Sequence, residues 1–336
     1  MKARIVSFFA VITIAAVAAC SPLSDEKFRR AIPSDKSVTV NAPERDANAL
    51  TSIDATLGAT SDYYVTTRRL SRGINGGVRS FVGLIRQIVS QPVTSRDGDR
   101  RIWGPGADAL DPVFYRLVAT EESPDHFAYA LEARPKASED LDANYLPLIS
   151  GTSDISSGKN DGKGTLTLHL DNAVTMDPSA CGTGSLDAIY DTTGEPQFLT
   201  VAFNDFSTCD EEADGKKPMQ AASYYFARAA DGSGNFQFIV TGDVHNGALL
   251  PLVDETFAIR SRWLPTGEGR SDVSISGGDL LAHDGIAAVT ASECWDSSFA
   301  LTFQTISPAV VDPSHLGGLE TACPAGLQTA EYTSDL

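Results

Sequence analysis

Six charged residues crowd around two tryptophans late in the chain: Arg260, Arg262, Arg270, Asp272, Glu293 and Asp296, beside Trp263 and Trp295. Paired carboxylates next to arginines are what general acid–base catalysis uses. The same residue types also form cross-strand salt bridges on an exposed sheet face, beside core tryptophans. The second reading is adopted, because no recognisable motif accompanies the cluster. Residues 269–273 lack the closing glycine of a nucleophile elbow. The five histidines, at 126, 169, 245, 283 and 315, are scattered and form no His-Glu-x-x-His pair. Gly162-Lys163-Gly164-Thr165 lacks phosphate-loop spacing and reads as a turn entering a strand. In Asp210-Glu211-Glu212-Ala213-Asp214-Gly215 the first carboxylates of a calcium loop are present. Its twelfth position is Ala221, where a bidentate glutamate is needed, so the segment reads as a solvated acidic turn. No catalytic residue, metal site or cofactor is expected.

The cysteines carry more information. Lys2 and Arg4 precede an apolar run from Ile5 to Val17, broken only by Ser7 and Thr13, and Val17-Ala18-Ala19-Cys20 ends it. The run is shorter than the roughly 20 residues a bilayer span requires, so residues 1–19 read as a secretory signal. The cysteine directly after Ala-Ala resembles the lipobox of bacterial lipoproteins. That resemblance implies cleavage before Cys20 and acylation of its thiol, and two or three acyl chains hold a protein on a membrane durably. Ser21 stands where an aspartate signals inner-membrane retention, which implies the outer membrane of a Gram-negative cell. Cys181, Cys209, Cys294 and Cys323 remain, an even number in an oxidising compartment, and read as two disulfides. A hairpin through Thr192-Thr193-Gly194-Glu195 would bring Cys181 to Cys209, leaving Cys294 to clip the tail through Cys323.

Cleavage would leave 317 of 336 residues and, with Lys2 and Arg4 gone, move the formal charge from −18 to −20. Such a chain repels nucleic acid and anionic lipid surfaces. Its 42% hydrophobic content is that of a folded globular protein.

The elements that would position any site follow from periodicity. Residues 20–45 have the polar, aperiodic composition of a flexible tether. Residues 46–95 carry two helical patterns. The first runs through Leu50, Ile53 and Leu57. The second is an apolar stripe of Val78, Phe81, Val82, Ile85, Ile88 and Val89, expected to begin at Gly76-Gly77 and stop at Gln91-Pro92. From 96 to 310, eleven β-branched and aromatic runs recur: 113–120, 126–134, 164–170, 186–190, 197–206, 221–229, 235–241, 256–264, 271–276, 286–294 and 299–306. Phe257, Ile259 and Trp263 alternate with Arg260 and Arg262, the period of a half-buried strand. No helical pattern separates the later runs, so an antiparallel meander of about eleven strands is expected. It should form a strongly curved sheet or partial barrel with the N-terminal helices packed on it, a two-sheet sandwich being the alternative. Residues 311–336 form the tail clipped by Cys323.

The stretches Arg262–Asp272, continuing through Ser276–Leu280, and Ser292–Asp296 resemble uncharacterised β-rich lipoproteins of Gram-negative bacteria. In architecture alone, a helix on a curved sheet is similar to periplasmic lipoprotein carriers, whose half-barrels hold acyl chains. The resemblance implies a non-enzymatic, membrane-anchored protein that binds a lipid or other hydrophobic ligand, or an envelope protein partner. Phe81, Ile85, Phe236, Phe238, Phe257 and Trp263 would line such a cavity. A purely structural role, or a hydrolase with an unrecognised carboxylate site, are the alternatives.

Overall fold

The computed structural model describes residues 22–34, 37–43, 56–107, 112–158, 162–177, 182–207, 219–242, 253–309, 311–312 and 314–332. Residues 1–20, Cys181, Cys209, the first helical pattern at 50–53 and the acidic segment 210–215 lie outside these, as does the side chain of Phe81. None of the helices among the described residues is long and apolar enough to cross a membrane.

One open antiparallel sheet dominates. Its fourteen strands follow one another in space as they do in sequence. They are β1 (Ser95–Asp97), β2 (Arg100–Gly106), β3 (Val113–Ser123), β4 (His126–Pro135), β5 (Leu146–Asp154), β6 (Lys163–His169) and β7 (Thr183–Asp191). Then come β8 (Gln197–Ser207), β9 (Met219–Arg228), β10 (Gly234–Gly242), β11 (Glu255–Trp263), β12 (Gly269–Gly277), β13 (Ala288–Trp295) and β14 (Leu301–Ser307). The meander is therefore longer than the eleven strands expected, and it is one sheet rather than two. The three additions are β1, β2 and β5. β1 has only three residues, all exposed, β2 contains Gly104-Pro105-Gly106, and β5 contains Pro147 and Gly151. Those compositions read as turns, and only pairing with neighbours makes them strands.

A recurring cross-strand device helps the sheet bend. Tyr129 lies opposite Gly151, Tyr190 opposite Gly164, Trp263 opposite Gly234 and Trp295 opposite Gly269. In each case the ring lies where a Cβ on the glycine would sit, within 2.4–2.8 Å of it. Such aromatic cover lets glycine supply curvature without leaving the core open.

One face of the sheet holds the core. Two helices cover it: α1 (Pro22–Arg30) and α2 (Asp62–Val89). Val78, Val82, Ile85 and Val89 of α2 are buried among Trp103, Leu117, Phe127, Tyr224, Phe236, Ile259 and Trp263. The helix meets β3 on one side and β11 to β13 on the other, so it lies across the sheet. It starts fourteen residues before Gly76, at the Ser61 N-cap, whose side chain accepts from the Tyr64 N–H at 3.2 Å. The Gly76-Gly77 pair costs about 1 kcal/mol per residue, which docking of a 28-residue amphipathic helix offsets.

Residues 22–34 and 37–43 correct the expected tether at 20–45. Phe28, Ile32, Val38 and Val40 are 1–3% exposed within the same core. Asp25, 6% exposed, receives Arg96 at 2.6 Å and Arg101 at 3.1 Å, so the charges that suggested a solvated linker pin α1 to β1 and β2. The edges of the open sheet are blunted. β1 is short and tied to α1, while β14 is bridged by Thr60 opposite Ala300 and Gly317 opposite Gln304. The Cys294–Cys323 disulfide forms as expected.

Replacing Ile85, fully buried, by aspartate removes about 1.5–3 kcal/mol of burial and places an unpaired carboxylate in a dry core. Ile85→Asp should lower unfolding free energy by about 4 kcal/mol or more in denaturant titrations. A wild-type midpoint would mean that α2 is not docked.

Candidate anion-binding cleft

The charged cluster picked out around the two tryptophans is divided by strand alternation. Arg262, Arg270 and Asp272 share the face turned away from α2, and Arg262 pairs across the ladder with Arg270. There the C-terminal tail covers them. Arg270, fully buried, donates to Asp272 at 2.7 Å, to Glu320 at 3.0 Å and to the Gln328 carbonyl at 2.8 Å. Arg262 donates to Asp272 at 2.9 Å and to the Thr329 carbonyl at 2.8 Å, and Arg260 pairs with Glu331 at 2.9 Å. Asp272 thus neutralises two buried guanidiniums, and its geometry leaves no opening for a substrate. The network clamps the tail.

Glu293 faces the other way, opposite Ser271 and beneath the start of α2. It accepts from Ser61 Oγ at 2.7 Å and from the Tyr63 N–H at 3.0 Å, where the helix dipole favours a negative charge. His315 Nε2 approaches it at 3.2 Å. Asp296 closes the β13–β14 turn by accepting from Ser298 and Ala300. The tryptophan N–H groups donate to the Gly232 and Gly267 carbonyls. These residues are structural.

The aromatic positions expected to line a ligand cavity are core. Ile85, Phe236 and Trp263 are at most 3% exposed, and Phe238 and Phe257 pack against the same cluster. None of them lines a cavity described below. Helix α2 fills the space that an acyl chain would need.

Open space lies instead along the polar rim of α2. A cavity of about 990 Å3 is lined by Arg68, Ser71, Arg72, Asn75, Gly76 and Arg79 of α2, by residues 39–42, and by Gln197 and Arg228 at the ends of β8 and β9. Its volume is at the upper end of ligand sites. Among the described residues, four arginines and no carboxylate line it. Among the described residues no carboxylate pairs with Arg72, Arg79 or Arg228. The wall at 39–42 is fixed by Asn75, whose side chain accepts from the Val40 N–H at 2.7 Å and donates to its carbonyl at 2.6 Å. A second cavity, of about 410 Å3, lies further along the same helix, with Arg29, Arg30, Arg86 and Glu26 beside Ile32, Val89, Ile155 and Tyr190.

Helix α2 carries five arginines and one aspartate in a chain of net charge −18. Arg68, Arg72, Arg79 and Arg86 recur at four- and seven-residue spacing and so share one face. That spacing is legible in the sequence. It goes unread when the helix is taken to begin at Gly76-Gly77, because only Arg79 and Arg86 then fall inside it.

The Glu293 carboxylate beside His315 raises the imidazole pKa above its ordinary 6.5, against desolvation, and Asp312 and Asp62 add to the effect. A raised folded-state value means that the stabilisation is complete below about pH 6.5 and is lost as pH rises through the folded pKa. The destabilisation caused by His315→Ala should therefore be largest near about pH 5.5 and shrink toward about pH 8 in thermal unfolding. A difference independent of pH would rule out the charge pair.

Compared with protein-family models, curated proteins and solved structures, the chain finds no match.

Proposed function

We propose that this is a non-enzymatic binding protein, held on the outer membrane through an acylated Cys20, whose ligand is a phosphate-type anion taken into the arginine-lined cavity. The observation that supports this reading is the cavity itself: four guanidiniums and, among the described residues, no lining carboxylate, in a strongly acidic chain. Guanidinium forks match phosphate oxygens bidentately. The positive charge, concentrated along α2 and the cavity walls, focuses the field locally while the net negative charge of the chain repels anions elsewhere. A hydrophobic ligand beneath α2 fits the packing less well, since apolar side chains already occupy that space. An acid–base hydrolase would need an accessible carboxylate. Asp272 and Glu293, at most 1% exposed, are engaged in clamping the tail and the helix.

Orthophosphate and pyrophosphate titrated into the full-length protein in detergent should bind with salt-sensitive affinity. Arg72→Ala and Arg79→Ala should each weaken binding about tenfold or more, the value of one charge-assisted hydrogen bond. Both side chains are exposed, so melting should stay unchanged. A wild-type protein that binds neither phosphate would remove this reading.

Cys20→Ala should leave an uncleaved precursor or release the protein from membranes. Normal processing with detergent-phase partitioning of that variant would refute the anchor.

A further inference from the structure

The arginine stripe is interleaved with glycine. Along α2, Arg72, Gly76, Arg79, Gly83 and Arg86 repeat the order Arg-x-x-x-Gly-x-x at seven-residue spacing. At 100° per residue all five fall on one face about 80° wide, beside the apolar stripe. All five are exposed.

Packing does not account for these glycines. A Cβ at Gly76 or Gly83 would meet no atom within 4 Å, and neither has the positive φ that favours glycine. Each weakens the helix relative to alanine. Bare backbone on an exposed helix face is what close approach of another molecule requires. Gly76 lies between Arg72 and Arg79 on the helix surface, and Gly83 between Arg79 and Arg86, as three- and four-residue neighbours.

The face also joins the two cavities. Arg72 and Arg79 line the larger one and Arg86 the smaller. Residues 33–34 and 37–43 run beside α2 in the opposite direction, with Pro33 accepting from Arg86 at 3.4 Å and Val40 clamped by Asn75. They form a common wall. One seven-residue step along a helix is about 10 Å.

From this we infer that the ligand is elongated, with at least two phosphate-type groups about 10–16 Å apart, lying along α2 with one group in each cavity. Arg72 and Arg79 hold one anion and Arg86 the other, beside Ile32 and Val89. Gly83, between Arg79 and Arg86, is the floor over which a neutral spacer passes. This inference rests on the anion-binding reading above and specifies its ligand.

The test uses full-length protein in detergent and two probes, methylphosphonate and an α,ω-alkane bisphosphonate with eight methylenes. The bisphosphonate should bind at least a hundredfold more tightly. Gly83→Leu, which fills the floor, should bring its affinity down toward that of methylphosphonate while leaving methylphosphonate binding unchanged. The same variant should melt at or above the wild-type temperature, which separates loss of the groove from loss of the fold. Equal affinity for the two probes, or a Gly83→Leu protein that keeps full bisphosphonate affinity, would overturn the elongated ligand and leave the single-anion reading standing. Failure of both probes would overturn both readings. Competition by phosphatidylglycerol vesicles would place the phosphates on a lipid headgroup, and competition by a soluble sugar bisphosphate would place them on a free ligand. Competition by neither would overturn the assignment to phosphate groups.

Discussion

An open fourteen-stranded sheet has an apolar face far too large to leave in water, and burying that face governs the rest of the molecule. Helix α2 answers the requirement with one stripe, Val78, Val82, Ile85 and Val89, while α1 and Ile32, Val38, Val40 and Ala42 complete the cover. Because the helix must reach from β3 to β13, it needs its full 28 residues, which is why it runs unbroken through a glycine pair. The cover also decides where space remains. The arginine-lined cavity lies along the rim, where α2 turns its arginines toward solvent.

Buried charge fixes the tail and also the cover. At its N-terminus Glu293 satisfies Ser61 and the Tyr63 N–H, and the Tyr64 ring stacks on Phe299 at 4.3 Å. On the face turned away from α2, Asp272 bridges Arg262 and Arg270, and those arginines in turn hold the carbonyls of the tail. Buried ion pairs of this kind gain little net stability, but removing one partner leaves an uncompensated charge at a cost of about 3–5 kcal/mol. Their effect is to fix register and tail position. The disulfide at Cys294 and Cys323 acts on the same tail covalently.

An arginine-rich helix on an acidic protein is a local inversion of the global charge. The formal charge of −18 disfavours anions everywhere, yet α2 alone carries five positive charges against one negative. Long-range repulsion and short-range recognition act over different distances. At physiological ionic strength, screening over about 8 Å limits the first and leaves direct guanidinium contacts effective. A ligand that docks along the helix rim would be selected by contact geometry rather than by bulk attraction.

Sequence alone determined the class of fold. Period-two alternation in strands such as Phe257–Trp263 reports one wet and one dry face, and the dense turn residues report antiparallel connections; both are local properties. The apolar stripe through Ile85 was equally legible, as was the pairing of Cys294 with Cys323. Tertiary structure alone decided what local composition leaves undetermined. β1, β2 and β5 are strands because neighbours offer them hydrogen bonds, and residues 22–34 and 37–43 are packed because a large apolar face lies within their reach. The charged cluster around Trp263 and Trp295 separates because register sends Asp272 and Glu293 to opposite faces of the sheet. The arginines of α2 were visible one by one. Their meaning as a site depended on where the helix begins and on which rim of the sheet it leaves open, and both follow from long-range burial that no local spacing encodes.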